Sequence, residues 1–562
     1  MEKLKSAIEK IVKDLFDFDE APIELAKTPE NMEGDVASNV AMRLARSLKR
    51  NPREIAEEIV EKLREEVPEF DFAIAGAGFI NVSFPNDYYL DQIKNLDTEF
   101  DKEIAIDDYA GKVVLCEFSD PNPFKVLHVG HLYTSVVGDA ISRLFEFAGA
   151  DVKRLNFGGD VGLHVAKTMY EILRRDEDFL SNNELGLDEK AEKIGECYVA
   201  GTRAYEEDDE AKSEITKINK ELYRISEEDL HDSRLAELYW QGREISYDYF
   251  KEFYASIGLK FDKYYPESMT ARAGLERVKE EQKNGVYEES DGAVVFKGEK
   301  YGLHTRVFIN KEGVPTYETK DVGLVLMKWA DWHFDKSVII TGSEQLEYMQ
   351  VVYKSIEQFE PELAEKTTHL THGMVRLPGD EKMSSRKGNF LKATDTIKVI
   401  EENLHEINGS TDEKVVLGAT KYAFLKYKMG GNIVFDAKES VSTSGNSGVY
   451  LQYSAVRANK ILSKLSADGQ ISEDWVLNDE ERNLAKKMFD FKFVLQEAVN
   501  EQAPYKLCNY LYDLAQEFSR FYEKVQVVGS EFEIERGKII SVYAQILEKG
   551  LDLLGIEVPE QM

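Results

Sequence analysis

The pattern of apolar and polar residues divides the chain into three regions. The first begins with MEKLKSAIEKIVKDLF, whose apolar residues recur as on an amphipathic helix. It also contains FDFAIAGAGFINVSF, in which glycines bound β-branched and aromatic residues typical of strands. Residues 1–100 are therefore predicted to form a small α+β domain. Residues 436–562 carry apolar residues at helical spacing and almost no strand signal, which predicts an all-α bundle.

The middle region, residues 101–435, alternates short apolar runs with turns and helical segments. The runs KVVLCEF, DVKRLNF and KSVIIT are each followed by turn residues and then a helical pattern. Strand, turn and helix in alternation predict an α/β domain with a Rossmann-like, doubly wound parallel sheet. A charged helical stretch at about 171–280 is long enough to be an insertion in this domain.

Length and composition narrow the class of protein. A chain of 562 residues is too long for one core, and its 43% hydrophobic and 31% charged residues are typical of a soluble globular protein. We expect neither a secretory leader nor a membrane span, because no apolar run is long enough. The three cysteines lie far apart without a CxxC pair, so we expect no zinc site and a reducing, cytoplasmic setting.

The net charge of −34 argues against binding of a polyanion by the surface as a whole. The chain nevertheless contains local basic stretches. Arg43, Arg46 and Arg50 recur at spacings of three and four, which would place them on one helix face. Arg457 lies in a second basic stretch, AVRANKILSKL. Such stretches can bind nucleic acid, but the charge pattern alone favours a solvated helix face.

The stretch VLHVGHLY places His128 and His131 three residues apart, with Gly130 beside the second. A strand precedes it and a helix follows, so both histidines should lie at a helix N-terminus beyond the carboxyl end of a parallel strand. Backbone amides face anions at such a position, and open α/β sheets bind ligands there. Gly130 would let a base or ribose approach the backbone, and the imidazoles could donate hydrogen bonds to phosphate oxygens. Taken alone, an HxxH pair is usually structural.

A second stretch far downstream, GMVRLPGDEKMSSRKGNFL, has the composition of a phosphate-binding loop. Its cations and hydroxyls could close over a triphosphate and neutralise the leaving pyrophosphate. The residues concerned are Lys382, Ser384, Ser385, Arg386 and Lys387. A surface loop that is merely rich in lysine and serine is the alternative.

HVGH after the first strand and KMSS after the last resemble the paired motifs of class I aminoacyl-tRNA synthetases. The stretches EFSDPNPFKVLHVGHLYTSVVGDAISRLFEF, GVPTYETKD and SGNSGVYLQYSAVRANKIL resemble the arginyl-tRNA synthetases in particular. The two ends of the chain resemble that family's N-terminal additional domain and its anticodon-binding domain. The resemblance covers nearly the whole chain except the acidic insertion and some connecting segments.

Recognition of L-arginine requires carboxylates that match a planar guanidinium, often with an aromatic neighbour. Glu117 and Asn122 flank the turn before HVGH, and Gln345 follows the strand SVIIT. Tyr317 and Asp321 are four residues apart, so a helix would present both on one face. The resemblance implies that these five positions bind the amino acid. As alternatives, Asp321 could be an exposed helix acid and Glu117 a salt-bridge partner at a strand end.

The resemblance implies the reaction of an arginine-tRNA ligase. The arginine carboxylate attacks the α-phosphate of ATP, which is accompanied by Mg²⁺, to form arginyl-adenylate and pyrophosphate. The 2′-hydroxyl of the terminal adenosine of tRNA(Arg) then displaces AMP, and tRNA is also required for the first step. Catalytic roles are implied for Lys125, His128, His131 and Lys382. The ATP site would consist of Lys125, His128, Gly130, His131, Lys382, Met383, Ser384 and Lys387.

The chain departs from the usual motif at Ser385, where a lysine is common. Family members that vary there often retain a lysine upstream of HVGH, which here is Lys125.

By resemblance, the N-terminal arginines would contact the tRNA elbow. The C-terminal domain would bind the anticodon arm through Arg457, Tyr450, Tyr453 and Tyr510, although core packing explains any single tyrosine. A monomer is the family habit. Two alternatives are a different HxGH nucleotidyltransferase and a non-catalytic tRNA-binding relative.

Overall fold

A computed structural model describes residues 2–18, 23–28, 32–175, 178–376, 391–408, 412–465, 469, 471–472 and 475–562 of the chain. The N-terminal region is an antiparallel sheet with four helices, as its sequence pattern predicts. The helices are α1 (Glu2–Phe16), α2 (Val40–Leu48), α3 (Pro52–Glu66) and α4 (Asn86–Ile104). The strands are β1 (Leu25–Lys27), β2 (Val36–Ser38), β3 (Asp71–Ala75) and β4 (Phe79–Ser83), in the sheet order β1-β2-β4-β3.

The middle region begins with alternating strands and helices. Its first half contains β5 (Val113–Glu117), α5 (Val129–Phe147), β6 (Asp151–Gly158), α6 (Leu163–Arg174), α7 (Leu187–Glu207), α8 (Asp209–Glu228), α9 (Arg234–Ser256), β7 (Lys263–Pro266) and α10 (Glu267–Lys283). The short strands β8 (Glu288–Ser290), β9 (Ala293–Phe296) and β10 (Arg306–Ile309) then form a separate antiparallel sheet.

The second half of the middle region returns to the main sheet. It contains α11 (Tyr317–Trp332), β11 (Lys336–Gly342), α12 (Leu346–Glu357), α13 (Pro361–Glu365), β12 (Thr367–His372), β13 (Val375–Arg376), α14 (Ala393–Asn408), α15 (Glu413–Leu425) and β14 (Ile433–Val434). Strands β13 and β14 pair in parallel with each other.

The main sheet has five parallel strands in the order β12-β11-β5-β6-β7. The middles of β5 and β11 are buried, as expected for strands that helices cover on both faces. This sheet confirms the predicted doubly wound architecture. It also brings the carboxyl ends of β5, β11 and β12 to one edge.

The stretch predicted as a helical insertion at about 171–280 is helical from α7 to α9, but it also contains β7, a strand of the main sheet. Helices α7, α8 and α9 share a buried core with α6, but β7 follows them and pairs with β6 in the main sheet. Helix α10 begins directly after β7. The sequence KYYP was missed as a strand because it is short and ends in proline, which gives no periodicity to detect.

The described residues of the C-terminal region form helices and the connections between them, as predicted. The helices are α16 (Ala437–Ser440), α17 (Gly448–Leu462), α18 (Asp479–Phe489), α19 (Phe491–Asn500), α20 (Pro504–Lys524) and α21 (Glu533–Leu553).

The chain packs as two compact units. One consists of Met1–Ile104, Ala458–Lys492 and Leu514–Ile546, and the other of Ala105–Arg457, Phe493–Asp513 and Leu547–Met562. The sequence predicts three consecutive domains, whereas packing assigns parts of the C-terminal helices to each unit. Hydrophobic periodicity shows that a helix face is buried but does not identify the element that buries it.

Candidate active site

A cavity of about 1210 Å³ lies at the carboxyl ends of β5, β11 and β12. Ligands bind at this edge in open α/β sheets. The lining includes side chains from the turn after β5, the start of α5, the start of α11 and the turn after β11. Eight residues predicted for arginine or ATP line it: Glu117, Asn122, His128, Gly130, His131, Tyr317, Asp321 and Gln345.

The turn between β5 and α5 has an unusual backbone. Ser119, Asp120 and Phe124 have φ angles of 73°, 46° and 66°, in the left-handed region that L-residues other than asparagine and aspartate seldom adopt. The Asn122 Oδ1 atom accepts a hydrogen bond of 2.9 Å from the Gly159 amide. This bond joins the turn to the end of β6. Left-handed residues kept in place by tertiary bonds are typical of binding sites.

The two histidines of HVGH cap the helix that they begin. The His128 amide donates to Nδ1 of His131 over 3.2 Å, and the Gly130 amide donates to Nδ1 of His128 over 3.1 Å. An amide N–H can only donate, so both Nδ1 atoms lack a proton and each neutral ring carries its hydrogen on Nε2. The rings stack with their centroids 3.8 Å apart. The capping bonds therefore present two Nε2–H donors.

Burial keeps both imidazoles neutral. It lowers the pKa of His128 to about 4, and the positive charge of Lys125 adds to this effect. Burial also lowers the pKa of His131 well below its usual range, and His128 and Lys125 add to this effect. At neutral pH the pair acts as hydrogen-bond donors without positive charge, which suits contacts to oxygen atoms whose charge grows during a reaction.

The start of α5 differs from the sequence prediction in two respects. The first three amides are already bonded, from Val129 to Leu391 O, from Gly130 to His128 Nδ1 and from His131 to His128 O. Open amides therefore do not provide the predicted anion site. In addition, a Cβ on Gly130 would lie 2.9 Å from His128 Cε1, so the glycine makes room for this ring, a role that the sequence did not indicate.

Carboxylates dominate the other part of the cavity. Asp321 accepts a hydrogen bond from the Tyr348 hydroxyl, and Glu117 forms a buried ion pair with Lys328. Burial raises the pKa of Asp321 to about 8; the Tyr348 bond opposes this shift, and the charges of Glu117 and Glu267 add to it. A carboxyl group with this pKa is a favourable partner for a cation, since a bound positive charge would restore its ionised form.

Glu267 is a site residue that the sequence reasoning missed. It lines the cavity at the start of α10 and forms a 2.6 Å ion pair with Lys320 of α11. Lys320 also donates to the Tyr223 hydroxyl over 3.1 Å. The prediction overlooked Glu267 because it follows β7, the strand that was not recognised. Polar residues at strand ends were the available signal.

Tyr317 and Asp321 lie on one side of α11 as predicted, because both line the cavity from positions four residues apart. Their environments differ: Tyr317 is 56% exposed, whereas Asp321 is 8% exposed. Gln345 lines the same cavity and is exposed. A ligand could therefore reach the buried carboxyl group past a more open rim.

Four of the predicted ATP contacts lie outside the described residues: Lys382, Met383, Ser384 and Lys387. The described residues on both sides of this segment adjoin the cavity, since Arg376 lines it and the Leu391 carbonyl accepts from the Val129 amide. Lys125 does not appear in the lining; its Nζ lies 4.6 Å from the centre of the Tyr198 ring.

The predicted N-terminal arginine stripe does not form one helix face. Helix α2 ends at Leu48 and Lys49 adopts a left-handed conformation, so Arg50 lies beyond the helix. Arg50 bonds to Glu58 of α3 over 2.6 Å. Arg43 forms an ion pair with Glu24, while Arg46 is exposed. The spacing of the arginines suits a helix, but α2 ends at Leu48, earlier than predicted, and α3 begins at Pro52.

The C-terminal candidates also differ in exposure. Tyr453 is 42% exposed, and Tyr450 is partly buried with its ring edge-on to Tyr512. Arg457 is partly buried. Tyr510 is only 5% exposed, so it packs in the core and the prediction that it stacks on a base was wrong. The sequence did not distinguish Tyr510 from Tyr522, an exposed tyrosine of the same helix.

Among the described residues, no group of three or more histidine, cysteine or acidic side chains is arranged to hold a metal ion. No described helix is long and apolar enough to cross a membrane.

Known protein families match three successive segments of the chain. Residues 95–436 match the family described as tRNA synthetases class I (R), catalytic domain. Residues 2–84 match the arginyl tRNA synthetase N terminal domain, and residues 451–562 match the DALR anticodon binding domain.

Individual relatives have low sequence identity to this chain but match it over most of its length. The arginine-tRNA ligase of Bacteroides fragilis is 28% identical over 86% of both chains, and that of Parabacteroides distasonis is 27% identical over 100% of this chain and 99% of its own. Among solved structures, Thermus thermophilus arginyl-tRNA synthetase has a TM-score of 0.81 at 23% identity, with both chains fully covered. The Plasmodium falciparum arginyl-tRNA synthetase has a TM-score of 0.80 at 20% identity, covering 100% of this chain and 99% of its own. These similarities show the same fold.

Proposed function

We propose, because the chain belongs to the family of class I arginyl-tRNA synthetases, that the cavity beside β5 binds L-arginine and ATP together. The enzyme activates arginine with ATP and transfers the arginyl group to tRNA. A non-catalytic RNA-binding relative or another HxGH nucleotidyltransferase is not favoured.

The observation that carries the arginine assignment is the buried Asp321 carboxyl group. Its pKa of about 8 is raised by burial and by the charges of Glu117 and Glu267. A guanidinium bound beside Asp321 and Tyr348 would supply the missing positive charge and could donate two hydrogen bonds to the carboxylate. We assign Asn122 and Gln345 to the α-amino and carboxylate end of arginine. Tyr317 would form the open rim over the side chain.

The two histidines are assigned to ATP. Their Nε2–H groups are directed by the capping bonds, so the rings need no reorganisation when charge develops on the phosphate oxygens. We assign Lys125, together with the predicted cations Lys382 and Lys387, to the phosphates. We expect Mg²⁺ to enter bound to ATP, since it is usually held through phosphates and a few carboxylates.

The proposed reaction needs no covalent intermediate on the protein. The arginine carboxylate attacks the α-phosphorus, the bond to the bridging oxygen breaks, and pyrophosphate leaves with its electron pair. The 2′-hydroxyl of the tRNA 3′ end then attacks the arginyl carbonyl and AMP departs. Holding both substrates in one cavity accounts for the rate through orientation and charge stabilisation.

The tRNA surfaces and cellular setting complete the proposal. Arg46 of α2 and the exposed Tyr453 of α17 remain candidates for contacts to tRNA(Arg), because both present side chains to solvent. We propose a cytoplasmic monomer. A reducing compartment is consistent with the three cysteines, which are buried and unpaired.

The test is ATP–pyrophosphate exchange with each standard amino acid, with and without unfractionated tRNA. We expect exchange with arginine only, and only when tRNA is present. Canavanine, a guanidinium-bearing analogue of arginine, should compete with arginine. Citrulline, which has the shape of arginine without its charge, should neither support exchange nor inhibit it at the same concentrations. Exchange with another amino acid would contradict the arginine assignment, and absence of exchange in every mixture would contradict the enzymatic one.

A further inference from the structure

A third histidine, His372, lies beside the HVGH turn and has no role in the assignments above. It ends β12, it lines the cavity, and it is 9% exposed. Its ring stands edge-on to that of Tyr133 of α5, with the centroids 4.8 Å apart. Its Nε2 atom lies 3.2 Å from Oγ1 of Thr134, one helical turn beyond Gly130. His372 therefore contacts the helix turn that holds His128 and His131.

The three contacts made by His372 and Thr134 can all be hydrogen bonds at the same time only if the His372 ring carries two protons. Nδ1 lies 2.8 Å from the Gly373 carbonyl oxygen, which can only accept, so Nδ1 carries a hydrogen. Thr134 Oγ1 donates its one hydrogen to the Gly130 carbonyl over 2.6 Å. The same oxygen can then only accept from His372, so Nε2 must carry a hydrogen too. All three bonds coexist only when the ring is an imidazolium.

A neutral His372 would change these bonds. Its Nε2 atom would be an acceptor, so the Thr134 hydroxyl would have to rotate toward it and give up the bond to Gly130. The carbonyl concerned belongs to the glycine between the two capping histidines. The charge on His372 is thus linked through one hydroxyl group to the turn that positions His128 and His131.

The charged and titratable groups around His372 make its protonation depend on what the cavity contains. Burial lowers the pKa of His372, while the bond to Gly373 and the negative charge of Glu344 favour its protonated form. His128 and His131 face it from α5 and are neutral, and the Tyr133 hydroxyl on the same helix is buried. An anion in the cavity would add the charge that stabilises the imidazolium.

We propose that His372 is a positioning residue of the ATP site, which takes up a proton from solvent as the triphosphate binds and then locks the HVGH turn through Thr134. The inference rests on the proposed function, because it requires the triphosphate to occupy this cavity. The imidazolium both balances phosphate charge and frees the Thr134 hydrogen for Gly130. Nucleotide binding and ordering of the two catalytic histidines are thereby coupled.

Calorimetry of nucleotide binding tests the proton uptake directly. Mg²⁺ with α,β-methylene-ATP would be titrated into the full-length protein at several pH values, each in buffers that differ in ionisation enthalpy. The slope of binding enthalpy against ionisation enthalpy gives the number of protons taken up. We expect the wild-type protein to take up a fraction of a proton at pH 7.5 and more at pH 6.5, and His372→Gln to take up less at both.

The glutamine variant keeps one donor and one acceptor but cannot become charged, so the fold should be retained. The matched control is His369→Gln, on the same strand, whose Nε2 bonds to Thr341 over 2.8 Å and which does not line the cavity. It should behave as wild type. In arginylation assays the KM for ATP of His372→Gln should be about tenfold higher near pH 6.5 and approach the wild-type value at high pH.

The outcomes separate the inference from the function on which it rests. Equal proton uptake by wild type and His372→Gln, or a difference in KM for ATP that does not change with pH, would overturn the inference while arginylation continued. Loss of uptake in the His369→Gln control would overturn it as well. A wild-type protein that binds no nucleotide would instead contradict the assignment of ATP to this cavity.

Discussion

Replacing Asp321 by asparagine should make the protein more stable and its binding of arginine weaker. The side chain is 8% exposed and its pKa is raised to about 8, mainly by burial, against a usual value of 3.8. The folded protein therefore holds this proton more tightly than the unfolded chain does. Between about pH 4 and pH 8 stability must fall as pH rises, because the unfolded state releases the proton first.

The magnitude follows from the difference between the two pKa values. At pH 7 the unfolded carboxyl group is about three pH units above its pKa, and each unit corresponds to ~1.4 kcal/mol, so the cost to stability is at most about 4 kcal/mol. Asparagine can still accept from Tyr348 but must itself be buried, which reduces the gain to about 1–3 kcal/mol. Loss of the charge pair with a guanidinium should cost about 2–5 kcal/mol of binding, or roughly thirtyfold to a few thousandfold in the KM for arginine.

Urea unfolding at pH 5, 6, 7 and 8 would measure the stability, and arginylation at saturating ATP and tRNA would measure the KM for arginine. The stability difference should grow with pH, while the KM for ATP should stay within a few-fold of wild type. The control is Asp331→Asn on the same helix. Burial acts to raise the Asp331 pKa, but hydrogen bonds from Lys263 and Tyr265 outweigh it and hold the pKa below its usual range. That variant should lose stability and keep its KM for arginine. If Asp321→Asn left both quantities unchanged, Asp321 would not be the guanidinium partner.

Three further substitutions test the site. His131→Ala removes an Nε2–H donor and the acceptor for the His128 amide, so steady-state arginylation should show kcat lower by about a hundredfold to a thousandfold; a loss below tenfold would contradict its role. Gly130→Ala should lower kcat/KM about tenfold to a hundredfold by displacing the His128 ring, with no fall in melting temperature, since alanine favours the helix. Lys328→Met should destabilise the fold by about 3–5 kcal/mol in urea unfolding, and adding Glu117→Gln should recover much of the loss if the buried pair is the cause.

The overall architecture could be predicted because its signals are local. The apolar run KVVLCEF and the helix after it are recognisable from residue types alone, and they place HVGH at the edge of the sheet. The same reasoning brought Glu117, Tyr317 and Asp321 into one site. Its failures also have local causes: β7 has four residues and no periodicity, so Glu267 at its end was missed.

The predicted tRNA contacts on helices were less reliable. The spacing of Arg43, Arg46 and Arg50 suits a helix, but the backbone leaves the helix at Lys49. Tyr510 and Tyr522 lie on the same helix, yet Tyr510 is buried in the core and Tyr522 is exposed. A boundary error of two residues moves a side chain to another face, and burial depends on neighbours that are distant in sequence.

The sequence by itself determined the alternation of the main strands and helices, the two motifs and the residue types needed for a guanidinium and a triphosphate. These depend on periodicity and on chemistry that each residue carries with it. Only the tertiary structure decided that the histidines cap their own helix, that Gly130 makes room for a ring, and that Asp321 is a buried carboxyl group with its pKa raised to about 8. Hydrogen-bond direction and pKa arise from atoms brought together across the fold, so no local pattern contains them.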